Sequence, residues 1–273
     1  MSREEIFDRI LALARRQDFE SVGRLIEQTL RDDPGFADGR NVVLAHWLVL
    51  AARWPAVERL LPPGTNWLLS SGWLNSLFTA KPLNGAGKPI PWFTYPAIEF
   101  IEPRIRASWR VFEWGCGFST LWWAARVAEV RAVEHDPAWQ RDMGARLPGN
   151  ARVDLVADPA AYAAAIASAG GPFDVVVIDG EARNDCAARA TDHVKPDGLI
   201  IFDNSDRQGC RAGIAQLDAA GWKRIDFFGP IASYLYKNCT SVFFRDDRCV
   251  TGGPLPSEVD SSVGPTCARA IGE

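Results

Sequence analysis

Five times in this chain an apolar run ends on a carboxylate: VFEWG (111–115), AVEHD (132–136), LVADP (155–159), VVVIDG (175–180) and IIFDN (200–204). In an open parallel sheet, ligands bind outside the carboxyl ends of the strands. Carboxylates there can take sugar hydroxyls, balance a cationic ligand, hold a metal ion or accept a proton from a reacting hydroxyl. Glu113, Glu134, Asp158, Asp179 and Asp203 are therefore the candidate functional residues, with Asn204 beside the last of them.

The first run continues into a glycine turn, WGCGFST. Gly115 and Gly117 permit a tight bend and a close backbone approach to a ligand at a helix start, and Ser119 and Thr120 lie in the same stretch. A dinucleotide fingerprint calls for a third glycine at 120, where this chain has Thr120. Glu113 beside the turn would repel a pyrophosphate and attract a ligand bearing an ammonium and a sulfonium. S-adenosylmethionine (SAM) carries those groups and no phosphate. Glu134 is placed to accept both ribose hydroxyls, with His135 beside the adenosine. Asp158 either takes the adenine amino group or caps the helix that opens at Pro159.

Methyl transfer from a sulfonium is an in-line displacement, which leaves the protein to align the acceptor and remove its proton. Asp179, Asp203 and Asn204 bring three oxygen ligands toward that region. Two carboxylates so placed repel each other unless one is protonated or a cation lies between them, and Mg²⁺ suits such a donor set. In the alternative, Asp179 supports the cofactor side and Asp203-Asn204 begins a turn. Arg183, Arg207 and Arg211 on neighbouring loops can hold an anionic acceptor, with surface solvation the competing fate for at least two of them. His46 and His193 lie away from these strand ends and offer no general base.

Stepping out from the motifs, apolar runs at 110–114, 130–134, 152–157, 173–179 and 198–203 alternate with helix-length segments. That is the rhythm of a doubly wound α/β sheet. KRIDFFG (223–229) and TSVFFR (240–245) follow each other without a helix between, which predicts a closing hairpin at the sheet edge. Upstream, residues 1–61 form a helical cap. Ile6, Ile10, Leu13 and Ala14 share one helical face and Phe19, Val22, Leu25 and Ile26 another. The second set echoes at an offset of 35 residues as Trp54, Val57, Leu60 and Leu61, and resembles a tetratricopeptide hairpin. The cap either packs on the main domain or serves a protein partner or self-association. Residues 62–96 are Pro- and Trp-rich, and prolines at 82, 89, 91 and 96 exclude a regular helix or central strand. Ten of the eleven tryptophans lie between Trp47 and Trp139, which makes this segment a linker, a lid or a substrate wall. The main domain spans 97–245, and 246–273 is expected to be a disordered tail.

FEWGCGFSTLWWA, AVEHDPAW, FDVVVIDGEARNDCA and GLIIFDNSDR, in that order, resemble the motifs of class I SAM-dependent methyltransferases, over about 92–245. The resemblance implies a seven-stranded, mostly parallel sheet whose last strand is antiparallel. It implies that Glu113, Gly115 and Gly117 line the methionine end of SAM and that Glu134 binds its ribose. The Asp179, Asp203, Asn204 placement is also similar to the metal site of catechol- and caffeoyl-type O-methyltransferases, although the spacing of 24 is shorter and the flanking GEARNDC and NSDRQG depart from it. O-methylation of a small-molecule acceptor is the expected activity.

Composition narrows the alternatives. A formal charge of −4 argues against broad nucleic-acid binding, and 47% hydrophobic with 23% charged residues is ordinary for a globular protein. The longest apolar run, 42–52, is too short for a bilayer and contains His46, and the first residues lack a signal-peptide core. Six cysteines without a CxxC or Cys/His cluster suit a reducing, cytoplasmic setting. Two rivals remain: an NAD(P)-dependent oxidoreductase, and a non-catalytic methyltransferase-like binding or assembly protein.

Overall fold

The computed structural model describes residues 3–16, 18–33 and 67–252. They fall in two units, one reaching Leu68 and one starting at Leu69. In the first, α1 (Arg3–Arg15) and α2 (Phe19–Asp32) form a hairpin. Asp18 caps α2 by accepting from the Ser21 amide at 3.2 Å. Ile10, Val22 and Ile26 are its buried residues, with Ile6, Leu13 and Leu25 packed around them. The expected faces of 1–33 are thus present, whereas the echo at 54–61 lies outside the described residues.

In the second unit, α3 (Trp67–Ser70) leads into it and α4 (Trp73–Thr79) follows, so part of the stretch expected to be irregular is helical. Proline does not forbid this, because Pro82, Pro89 and Pro91 come after α4. Pro96 sits in the first turn of α5 (Tyr95–Ile101), where a missing N–H costs nothing. Seven strands then form one sheet in the order β3-β2-β1-β4-β5-β7-β6: β1 (Arg110–Trp114), β2 (Glu129–Glu134), β3 (Ala151–Leu155), β4 (Phe173–Ile178), β5 (Val194–Asp203), β6 (Lys223–Ile231) and β7 (Tyr234–Phe244). Only β7 runs against its neighbours. Helices α6 (Phe118–Ala124), α7 (Pro137–Gly144), α8 (Pro159–Ala164), α9 (Arg183–Ala190) and α10 (Arg211–Ala219) follow β1 to β5 in turn. This is the expected class I fold.

The central strands are apolar along their length because both faces are covered: Val111, Phe112 and Trp114 on β1 and Val175 to Ile178 on β4 are fully buried. At the edge, β3 buries only Val153. The main core gathers Phe112, Trp114, Ile178, Phe202, Trp222 and Phe243. Two strands are longer than expected. β5 begins at Val194, its pairing with β4 shifting register between Phe173 and Val175; the Lys-Pro-Asp-Gly stretch reads as a turn but bulges within the strand. β7 begins at Tyr234, only Ala232 and Ser233 separating it from β6. Downstream, Asp246 caps a turn over Asp247–Cys249, and Arg104 donates to the Val250 and Gly252 carbonyls, so 246–252 is held in place. The rest of the expected disordered tail lies outside the described residues. The five described cysteines are free thiols. Among the described residues no helix is long and apolar enough to cross a membrane.

Strand order reverses between β1 and β4: the chain leaves β1 toward β2 and β3, then returns to β4 and β5 on the other side. A crevice opens outside the carboxyl ends of strands at such a switch point.

Candidate active site

A cavity of about 610 Å³ occupies that crevice. Gly115 to Ser119 wall it from β1, Glu134 to Asp136 and Trp139 from β2, and Asp179 to Glu181 with Arg183 from β4. Asp203, Asn204 and Arg207 close it from β5, and Trp92, Tyr234 and Tyr236 stand at its rim.

Gly115 has a left-handed φ of +91°, and a Cβ there would lie 3.1 Å from the Asp179 carbonyl oxygen. Glycine at 115 is therefore demanded by backbone geometry and by the neighbouring strand end. Gly180 is tighter still: a Cβ would sit 2.9 Å from the Gly115 nitrogen and run into the Tyr162 hydroxyl. Gly117 differs. Its backbone is extended and a Cβ would meet nothing nearer than Trp139 at 3.9 Å. What glycine provides at 117 is an open backbone on the cavity wall, where a ligand can approach.

Glu113 does not reach the cavity wall. It is fully buried beneath the turn, and its Oε2 accepts from the Thr120 hydroxyl at 2.5 Å while that hydroxyl accepts from the Gly117 amide at 2.9 Å. Thr120, placed in sequence with the cofactor contacts, is thus the pin between acid and turn. Glu113 Oε1 has no hydrogen-bond partner among the described residues. Burial, only partly offset by hydrogen bonds from Thr120 and Ser119, pushes this carboxyl up to about 8. At neutral pH the acid is mainly protonated, so Glu113 serves as a neutral strut of the turn rather than as a direct counter-charge in the cavity.

Glu134 lines the cavity and is buried. Its Oε1 takes the His135 amide at 2.8 Å and the Asp136 amide at 3.0 Å, with His135 Nδ1 2.8 Å away, and Oε2 takes the Cys116 amide at 3.2 Å. Oε1 is filled, which leaves Oε2 one acceptor site. That is fewer than a grip on two ribose hydroxyls calls for. His135 lines the cavity as expected. Asp158 does not: it is exposed and caps α8 by accepting from the Ala161 amide at 2.8 Å. The capping alternative describes its place. Trp139, which the sequence offered only as one of many tryptophans, lines the cavity with its indole N–H bound to the Cys116 carbonyl at 2.7 Å. Among the described tryptophans, only Trp92 and Trp139 line the cavity, while Trp73, Trp114, Trp122 and Trp123 are fully buried core.

The β4 and β5 ends are bound together by one side chain. Arg183 donates from Nε to the Gly180 carbonyl at 2.8 Å and from Nη1 to the Asp203 carbonyl at 2.5 Å and Asn204 Oδ1 at 2.9 Å. Its Nη2 reaches the Asp179 carbonyl at 3.3 Å and Asp179 Oδ1 at 3.2 Å. All five N–H groups are used, so Arg183 is structural and is not free for an acceptor. Asn204, in a left-handed conformation with φ +54°, donates its amide to Asp203 Oδ2 at 2.8 Å. The Thr240 hydroxyl donates to Asp203 Oδ1 at 2.6 Å and accepts from the Thr94 amide at 3.0 Å.

This arrangement does not fit a divalent ion. Asp179 and Asn204 already face a guanidinium cation, and both Asp203 oxygens carry donors. Among the described residues no group of three or more His, Cys, Asp or Glu side chains is placed to hold a metal. The repulsion expected of the two carboxylates is met in another way. Burial and the Asp179 charge push Asp203 well above the usual carboxylate range. Burial also raises Asp179, against the pull of Arg183 and Arg207. The two carboxyls titrate as an interacting pair, in which the affinity for a proton is raised more strongly at Asp203 than at Asp179 on the cavity wall.

Residues 112–205 match a family model described as a methyltransferase domain. A search of curated proteins finds no match. Among solved structures, the chain is similar to the O-methyltransferase from Bacillus cereus in complex with SAH (16% identity, 69% of this chain and 96% of that one, TM-score 0.46). It is similar as well to the O-methyltransferase TomG from Streptomyces achromogenes in complex with SAM (16% identity, 57% and 78%, TM-score 0.45). A third is precorrin-6y C5,15-methyltransferase from Geobacter metallireducens (12% identity, 55% and 87%, TM-score 0.43).

Proposed function

From a chain whose residues 112–205 carry a methyltransferase domain on a class I fold, we propose that the protein transfers the methyl group of SAM to a hydroxyl oxygen of a small-molecule acceptor. The observation that carries this reading is the crevice at the switch point, which has an open backbone at Gly117 on one side and a carboxyl group, Asp179, on the other. SAM supplies an electrophilic methyl group on sulfonium when bound. The turn from Gly115 to Ser119, the free acceptor site on Glu134 Oε2, His135 and Trp139 are the residues that would hold it.

Asp179 accepts the proton of the acceptor hydroxyl. Its raised affinity for protons brings it nearer to the working pH of a general base. Arg183 fixes its orientation, and Asp203, protonated, keeps the second charge out of the site. Mg²⁺ has no part in this reading because its donors are committed to Arg183 and to one another.

The test is calorimetric titration with S-adenosylhomocysteine (SAH), with NAD as the control, alongside transfer of labelled methyl from SAM. Asp179→Asn should retain SAH binding and lose turnover by roughly 10²–10⁴-fold, the range for removing a general base. Binding of NAD in place of SAH would refute the proposal, as would full turnover in Asp179→Asn.

A further inference from the structure

We infer that the acceptor is a hydroxylated ring bearing an anionic substituent, its anion held by Arg207 and its ring by Tyr234, Tyr236 and Trp92; this rests on the methyl-transfer reading of the cavity. The sheet order divides the cavity. Glu134 and Trp139 stand at the β2 side, Asp203, Tyr234 and Tyr236 at the β5 and β7 side. From β2 to β5 there are three interstrand steps of about 4.8 Å, or about 14 Å, enough to seat two ligands side by side. The glycine turn and Glu134 belong to the first, which leaves the β5–β7 end for the second.

Three arginines were candidates for an anion, and the structure separates them. Arg183 has all its donors engaged within the protein. Arg211 lines a different cavity of about 360 Å³, alongside Asp218 and Asp226. Arg207 lines the main cavity, and its guanidinium has no hydrogen-bond or ion-pair partner among the described residues. Its backbone amide is fixed by the Asn204 carbonyl at 3.1 Å, so the side chain starts one turn beyond Asp203. A guanidinium with every donor free on a cavity wall is suited to a carboxylate or similar oxyanion.

The ring follows from where the apolar surface is exposed. Of the six exposed large apolar side chains among the described residues, Trp92, Trp139, Tyr234 and Tyr236 line this one cavity. Such clustering marks a ligand surface rather than scattered surface residues. Tyr234 and Tyr236 lie with ring centroids 5.2 Å apart, and the Trp92 indole N–H is bound to the Ala232 carbonyl at 3.0 Å. Ser233 between the strands has a left-handed φ of +69°, a strained conformation that is retained at the turn from which Tyr234 starts. Flat aromatic faces bind either an arene or the apolar face of a pyranose.

The experiment titrates SAH-saturated protein with two pairs of probes: 3,4-dihydroxybenzoate against 3,4-dihydroxybenzamide, and glucuronate against glucose. In at least one pair the anion should bind at least 10-fold more tightly than its neutral partner, and the pair that responds identifies the ring. Arg207→Met should remove that preference, weakening the anion by about 10- to 100-fold, the range for a charge-assisted hydrogen bond. Arg207→Lys should keep part of it, and Arg211→Met all of it. Absence of preference in both pairs, or a preference that survives Arg207→Met, overturns the inference while SAH binding still stands. Failure of SAH to bind the wild type overturns the methyl-transfer reading, and this inference with it, on a separate signal.

Discussion

Replacing Glu113 with glutamine should stabilise the protein in a strictly pH-dependent way. The buried carboxyl has its proton affinity raised from 4.5 to about 8, so the folded state binds more protons than the unfolded state between those values. Stability therefore falls as pH rises through this window, and is least affected by Glu113 below about 4.5. At about 1.4 kcal/mol per pH unit, the loss from pH 5 to 7.5 is on the order of 3 kcal/mol. Glutamine keeps an acceptor for the Thr120 hydroxyl and cannot ionise. The stability of Glu113→Gln relative to wild type should thus rise by that amount across the window, whatever constant offset the new amide introduces. For a unit of this size the difference in melting midpoint should widen by roughly 6–12 °C. The assay is urea or thermal unfolding of both proteins by circular dichroism, in steps from pH 5 to 8 without ligand. A difference that stays flat with pH would refute the reasoning, since it would mean that Glu113 is ionised and compensated beneath the turn.

Gly180→Ala should lower the melting midpoint by a few degrees at least, because its Cβ would run into the Tyr162 hydroxyl and the Gly115 nitrogen; overpacking of this kind costs about 1–3 kcal/mol. A midpoint equal to wild type would show that the β1 and β4 ends are looser than the geometry requires. Thr240→Val keeps the shape but leaves Asp203 Oδ1 without a donor and the Thr94 amide without an acceptor, which should cost about 2–4 kcal/mol in urea unfolding. Methyl transfer should be unaffected by EDTA, measured with and without added Mg²⁺, because Arg183 fills the place between Asp179 and Asn204. Activity restored by Mg²⁺ after chelation would refute that assignment.

The parts of this molecule that were legible in sequence are those fixed by local chemistry. Apolar runs alternating with helix-length segments marked β1 to β5, most clearly the central β4 and β5, since a strand covered on both faces is apolar along most of its length. Strand-end carboxylates marked the crevice because topology places every parallel strand's carboxyl end on one edge. What could not be read was which oxygens were already engaged. Glu113 and Thr120 have the right types for ligand contact, yet they bond to each other. Arg183 looks like a loop arginine, and only the meeting of β4 with β5 reveals that it binds both. The rim was missed for another reason. Pro230, Lys237 and Asn238 disguise the β6–β7 hairpin as a loop, although Tyr234 and Tyr236, two residues apart, carried the strand period that would have placed both on one face.

The two ends of the crevice are built from different materials, and this has a consequence for specificity. At the β1 and β2 end, most of the wall is backbone: an open glycine at 117, a turn held by Thr120, and amides that fill most of Glu134. Substitution of side chains can change little there without breaking the turn itself. At the β5 and β7 end the wall carries exposed side chains, Tyr234, Tyr236 and Arg207, on a hairpin and a loop whose backbone is anchored by buried Ile231, Ala232, Asn204 and Ser205. Between them, Asp179 accepts from Arg183 at 3.2 Å. On the proposed reading, with Asp179 as proton acceptor between a backbone-built pocket and a side-chain-built one, the methyl donor is kept while the acceptor is changed by a few substitutions at the rim.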